Sequence, residues 1–152
     1  MVETFILRPA LPSDKEKVFA LSNDPEVRKN SIHGESISWA EHVAWFDAML
    51  SNPDCTFFIA ETPDGEFIGQ VRFFQKKVEN IVSISLCETF RARHLGKELL
   101  TEAVKRMPQG VYTAYIRSSN IASQKMFERT GFQVVRHVQI NNQSYKVYQH
   151  EK

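Results

Sequence analysis

Between Ile81 and Ile116 the chain runs apolar strand, basic connection, amphipathic helix and apolar strand, and this stretch constrains the fold more than any other. In the first strand Val82 and Ile84 share one face and Ile81 takes the other, with Leu86 near its end. Leu95 to Met107 then places Leu99, Leu100, Ala103, Val104 and Met107 on one helical face, and Lys97, Glu98, Thr101, Glu102, Lys105 and Arg106 on the opposite one. Pro108-Gln109-Gly110 stops that helix, and Val111 to Ile116 is again strand-like. A strand that returns through a helix to the same sheet lies parallel to its predecessor, in a right-handed crossover.

The flanking segments read as antiparallel sheet and short helices. Thr4 to Arg8 is a first strand ended by Pro9 and Pro12, and Ser13 with Glu16 forms a capping box for a helix carrying Val18 and Leu21. Asp24-Pro25-Glu26 opens a second, short helix. Ser38 and Glu41 box a third that runs to about Leu50, with Trp39, Val43, Phe46 and Leu50 as its buried stripe and His42 and Trp45 on one flank. Thr56 to Ala60 and Phe67 to Phe74 make an antiparallel pair around Pro63-Asp64-Gly65, and Lys76-Lys77 marks an exposed connection. Asn120 to Arg129 is helical with Gly131 as its left-handed cap, and Phe132 to Ile140 pairs with Tyr145 to Tyr148 around Asn141-Asn142. The expected architecture is a mixed α/β (α+β) fold: a mostly antiparallel seven-stranded sheet, flanking helices and one parallel β-α-β crossover.

Length and charge narrow the functional classes. At 152 residues the chain fits one domain spanning 1–152, and 42% hydrophobic with 24% charged residues is ordinary globular composition. Nineteen Lys and Arg against 18 Asp and Glu leave a net charge of +1, which argues against nucleic acid as the partner. The absence of a long apolar run or a basic-then-apolar leader points away from a membrane and toward a cytoplasmic protein. Cys55 and Cys87 lie beside apolar runs and read as two small buried hydrophobes, and no His or Cys spacing suggests a metal.

The connection at Arg91-Ala92-Arg93-His94-Leu95-Gly96-Lys97 joins a strand to a helix, and the unpaired first-turn amides of such a helix, with three cations beside them, make an anion site. This segment resembles the cofactor motif R/Q-x-x-G-x-G/A of the GCN5-related N-acetyltransferase (GNAT) superfamily. Asn120-Ile-Ala-Ser123-Gln-Lys-Met-Phe127-Glu-Arg-Thr-Gly131-Phe132 resembles its second motif, N-x-x-S-x-x-x-(Y/F)-x-x-x-G-F. The resemblance implies that acetyl-CoA is the co-substrate and that its pantetheine arm pairs with the strand near Leu86 and Cys87. It further implies a pyrophosphate on the amides of Arg91 to Lys97, with Asn120, Ser123 and Phe127 along the far wall. Two positions depart from the family pattern: His94 stands where a glycine is usual, and Phe127 where many members carry a tyrosine acid.

The reaction class follows from thioester chemistry. A thiol with pKa near roughly 8.5 leaves without a strong acid, whereas a lysine-like amine is neutral in only about one molecule in 2,500 at pH 7. Proton removal from the amine is therefore the greater need, and Glu88, at the end of the central strand, is the base candidate, with His33 and His42 as alternatives. The opening helices resemble GNAT enzymes that act on nucleotide-linked amino sugars, which implies acceptor contacts at Arg28, Trp39, His42 and Trp45. The alternatives are an N-terminal, ribosomal-type protein acetyltransferase and a non-catalytic CoA-binding domain. A homodimer is left open.

Overall fold

A computed structural model describes residues 4–91 and 93–152. Strands β1 (Ile6–Pro9), β2 (Cys55–Glu61), β3 (Phe67–Lys76), β4 (Glu79–Leu86), β5 (Val111–Arg117), β6 (Gln133–Ile140) and β7 (Gln143–Glu151) form one sheet in the order β1-β2-β3-β4-β5-β7-β6. Every neighbouring pair is antiparallel except β4 with β5. The helices are α1 (Lys15–Ser22), α2 (Pro25–Lys29), α3 (Trp39–Ser51), α4 (Glu88–Arg91), α5 (Gly96–Lys105) and α6 (Ile121–Arg129). The crossover, the strand count and the antiparallel majority are as the hydrophobic patterning requires.

Strand alternation sends the sheet's side chains into two cores. Phe58, Val71, Phe73, Val82, Leu86, Tyr112 and Ile116 pack against Leu99, Leu100 and Ala103 of α5 and Phe127 of α6. On the opposite face Phe57 and Ile59 meet Val18 of α1 and Phe46 of α3. The amphipathic α5 buries the face expected of it, Met107 included as a half-buried neighbour. The β6–β7 turn is closed by Asn141 and Asn142 at φ 52° and 62°, the paired left-handed geometry that suits a two-residue hairpin.

Local readings differ from the structure at four places. Pro9 closes the edge strand β1 from within, where its missing N–H faces no partner strand. Ser13 and Glu16 form no capping box: Pro12–Asp14 is a 3-10 turn, and the Asp14 carboxylate accepts the Leu11 N–H at 2.8 Å. The α3 stripe holds at Phe46 and Leu50 but not at its start, where His42 is buried while Trp39 is 44% exposed and packs edge-on against Phe19. The segment after β4, read as loop, contains the single-turn helix α4.

Candidate active site

The site begins where the sheet opens. The parallel pairing of β4 with β5 is confined to Glu79–Val111, Asn80–Tyr112 and Ile81–Thr113, and beyond these pairs the strands separate. Cys87 donates its N–H to the Ile68 carbonyl, so strand alternation turns the N–H and C=O of Ile84 and Leu86 toward the widening gap. Of the two residues near which the arm is expected to pair, Leu86 therefore turns its N–H to the gap and Cys87 is committed to β3. Gly69 of β3 makes this geometry attainable, because a Cβ there would collide with the Ser85 carbonyl oxygen and lie 2.9 Å from the Leu86 Cα.

At the mouth of the gap, α5 presents its N-terminus. Its N-cap is Leu95, which offers no side-chain acceptor, so the amides of Gly96, Lys97 and Glu98 are uncapped. The expected anion cradle from Arg91 to Lys97 is narrower in the structure, because the Arg91 N–H bonds the Cys87 carbonyl and the Arg93 N–H bonds the Phe90 carbonyl, each closing a turn at α4. Ala92 lies outside the described residues. Arg93 is exposed and stacks 4.9 Å over the Phe90 ring, and Lys97 is exposed on α5. His94 occupies the left-handed region at φ 58° with its side chain exposed, so the backbone keeps the conformation that a glycine would supply. Gly96 abuts α6, since a Cβ at this position would strike the Met126 sulfur.

Asn120 and Ser123 are joined at the head of α6, where the Asn120 carboxamide accepts the Ser123 N–H at 3.2 Å. Phe127 is 2% exposed and packs edge-on against Phe132 at 5.0 Å, so it serves the core. A multiply charged diphosphate fits the uncapped α5 amides, and the gap-facing main chain of Ile84 with the Leu86 N–H fits an extended amide-bearing arm. A thioester carrier of this kind supplies an activated acyl group; this chain's residues bind and orient it. Among the described residues no group of His, Cys, Asp and Glu is arranged to hold a metal.

On the other side of the gap, α2 acts as a strap. Asp24 caps α2 through Glu26 and Val27, and its carboxylate lies 3.4 Å from Arg91 Nη2. Arg91 Nη1 donates to the Leu86 carbonyl oxygen at 2.8 Å, fastening the strap's first end to β4. Its last residue, Lys29, gives its carbonyl to Arg117 Nη1 at the end of β5. Beneath the first end is a cavity of about 250 Å³ lined by Lys17, Ala20, Leu21, Asp24, Phe67, Cys87 and Glu88. Glu88 is exposed at its rim, and burial pushes the Cys87 thiol above its ordinary pKa, so Cys87 stays neutral there.

The expected acceptor residues do not converge. Arg28 donates to the carbonyls of Ser22, His33 and Glu35 and to the Ser31 hydroxyl, which holds the loop after α2 in place. His33 is exposed in that loop. His42 is 1% exposed, its Nε2 lies 2.8 Å from the Lys15 carbonyl oxygen, and burial pushes its pKa below the usual value; it is a packing residue between α1 and α3. Trp45 lies under the Arg72 guanidinium, 4.7 Å from its ring centre, and against Phe57. Sequence reasoning missed Asp24 and Leu21 as cavity walls, since only the packing of α1 against β3 brings them to the cavity that Glu88 lines.

A sheet that opens between its one parallel pair, with a helix N-terminus at the opening, defines an acyl-CoA-dependent transferase fold. The family model described as acetyltransferase (GNAT) domain matches residues 4–133, and the chain belongs to that family. Spermidine N-acetyltransferase from Vibrio cholerae, solved with CoA and spermine, superposes with a TM-score of 0.86 at 15% identity over 97% of this chain and 95% of that one. A domain from Methanocaldococcus jannaschii gives 0.83 at 21% identity over 99% and 100%. AAC(6')-Ib, solved with ribostamycin and coenzyme A, gives 0.84 at 15% identity over 99% and 94%. No curated protein sequence matches this chain.

Proposed function

We propose that the domain transfers the acetyl group of acetyl-CoA to a small primary amine. The observation that carries this reading is the placement of Glu88 on the cavity beside Cys87, next to the gap-facing main chain of Leu86. The Glu88 carboxylate draws an ammonium to the strand end and accepts its proton to release the nucleophile. The amine nitrogen attacks the thioester carbon, its oxygen meets the Leu86 N–H, the C–N bond forms and the C–S bond breaks. The thiolate leaves unaided and takes a proton from solvent, in keeping with the phenylalanine at position 127. Neighbours that hold spermine or an aminoglycoside support an amine acceptor.

The narrower expectation of a nucleotide-linked amino sugar loses its diphosphate partner, because the Arg28 donors are occupied within the loop. Trp39 alone remains as an exposed ring. The test is thiol release from acetyl-CoA across a panel of polyamines, aminoglycosides, amino acids, N-terminal peptides and nucleotide amino sugars. Amine-dependent release that falls at least tenfold in Glu88→Gln supports the reading. Tight CoA binding with no release for any amine favours a binding domain instead.

A further inference from the structure

Under the second end of the α2 strap, two buried polar atoms have no partner among the described residues: Arg117 Nε and the Tyr145 hydroxyl. They are neighbours. Arg117 and Tyr145 stand opposite one another in the β5–β7 register, so their side chains share a face, and the bond from Arg117 to the Lys29 carbonyl identifies it as the face under α2. Arg117 is the last residue of β5, four positions beyond the final β4–β5 pair, so both groups belong to the opened part of the sheet. Tyr145 is 1% exposed, and a buried hydroxyl without a partner is destabilising unless something arrives to satisfy it. No carboxylate lies within 4 Å of Arg117 among the described residues, so its half-buried charge has no counter-ion either.

We propose that Arg117 and Tyr145 form a subsite for an oxyanion, a carboxylate or phosphate group, carried by the acceptor amine. An Nε–H and an O–H are both donors, an oxyanion is an acceptor only, and the guanidinium supplies the matching charge. Glu88 receives the ammonium at one end of the strap, and Arg117 and Tyr145 receive the anion at the other. The strap between them is a helix of five residues, roughly 7–8 Å long, which sets the separation of the two groups on the acceptor. The acceptor is thus a zwitterion with its charges several bonds apart, as in a long ω-amino acid or a short peptide. A pure polycation does not satisfy both ends.

This inference rests on the acetyl-transfer reading, and the experiment separates the two. The probes are ω-aminocarboxylates of four to eight carbons and the matched alkylamines and diamines, with wild type, Tyr145→Phe and Arg117→Gln. Wild type is expected to prefer an aminocarboxylate in kcat/KM, and that preference to fall about tenfold in Tyr145→Phe, which removes one oxygen and leaves the packing. Calorimetric titration of 6-aminohexanoate and of hexylamine into CoA-saturated protein gives a readout without turnover. Binding of the former only, lost in both variants, upholds the subsite even if no amine is acetylated. Equal handling of the two classes by wild type, or a preference unchanged in Tyr145→Phe, overturns it, and the two atoms then bind water alone.

Discussion

Arg91 joins Asp24 to the end of the central strand: one guanidinium nitrogen lies 3.4 Å from the Asp24 carboxylate and another donates to the Leu86 carbonyl at 2.8 Å. The arginine expected to contact phosphate instead fixes the acceptor side of the gap to its cofactor side. Replacing Arg91 with methionine leaves the apolar stem and removes both bonds. The half-exposed ion pair is worth about 0–1 kcal/mol and the hydrogen bond about 1 kcal/mol, so a loss of about 1–2 kcal/mol in urea unfolding is expected. KM should rise for acetyl-CoA and for the amine together, whereas a residue serving phosphate alone changes only the first.

Gly69 carries a sharper demand. A methyl group there meets the Ser85 carbonyl and the Leu86 Cα, both main-chain atoms of β4. Gly69→Ala is expected to cost about 2–3 kcal/mol by overpacking and to weaken CoA binding by shifting the strand end. Unchanged melting and unchanged CoA affinity would show that β4 gives way freely.

His94 holds φ at 58°, where a non-glycine residue is strained by about 1 kcal/mol. His94→Gly removes that strain and the exposed ring but adds freedom to the unfolded chain, so its stability stays within about 1 kcal/mol of wild type. His94→Val, branched at Cβ, is expected to lose about 1–2 kcal/mol. Titration of CoA into the glycine variant should show tighter binding, since the backbone can then approach a phosphate more closely.

His42 predicts a pH dependence. Burial holds its pKa in the folded protein below the ordinary 6.5, so between the two values the unfolded chain binds the extra proton. Stability from this group is complete above about pH 6.5 and is lost as pH falls toward the depressed value. Asp14 adds a separate acid limb: burial alone would lift its carboxyl, but the Arg8 guanidinium and the Leu11 N–H hold it below the usual range. Its contribution is present above about pH 4 and lost below. Urea midpoints from pH 7.5 to 5 should fall for wild type and flatten in His42→Gln.

The fold was legible because α5 is cleanly amphipathic between two apolar strands, and Asn141-Asn142 names its own turn. The site was legible only at main-chain level. A helix N-terminus and a strand end are properties of local sequence, so Leu86 and the Gly96 amide region could be anticipated. Arg28, Arg91 and His42 could not be, because each is claimed by a partner set by tertiary packing: the His33 and Glu35 carbonyls, Asp24, and the Lys15 carbonyl respectively. The α3 stripe differs at its start because the Lys15 carbonyl holds the His42 ring inward beside Phe46, which hydrophobic spacing alone does not reveal.

The three residue pairs that join β4 to β5 have a mechanical consequence. Four strands lie on one side of that seam and three on the other, and little backbone bonding holds the halves in line. A molecule threaded into the opening stitches them together, so the folded enzyme is sturdiest when its thioester is abundant and softest when the supply runs down.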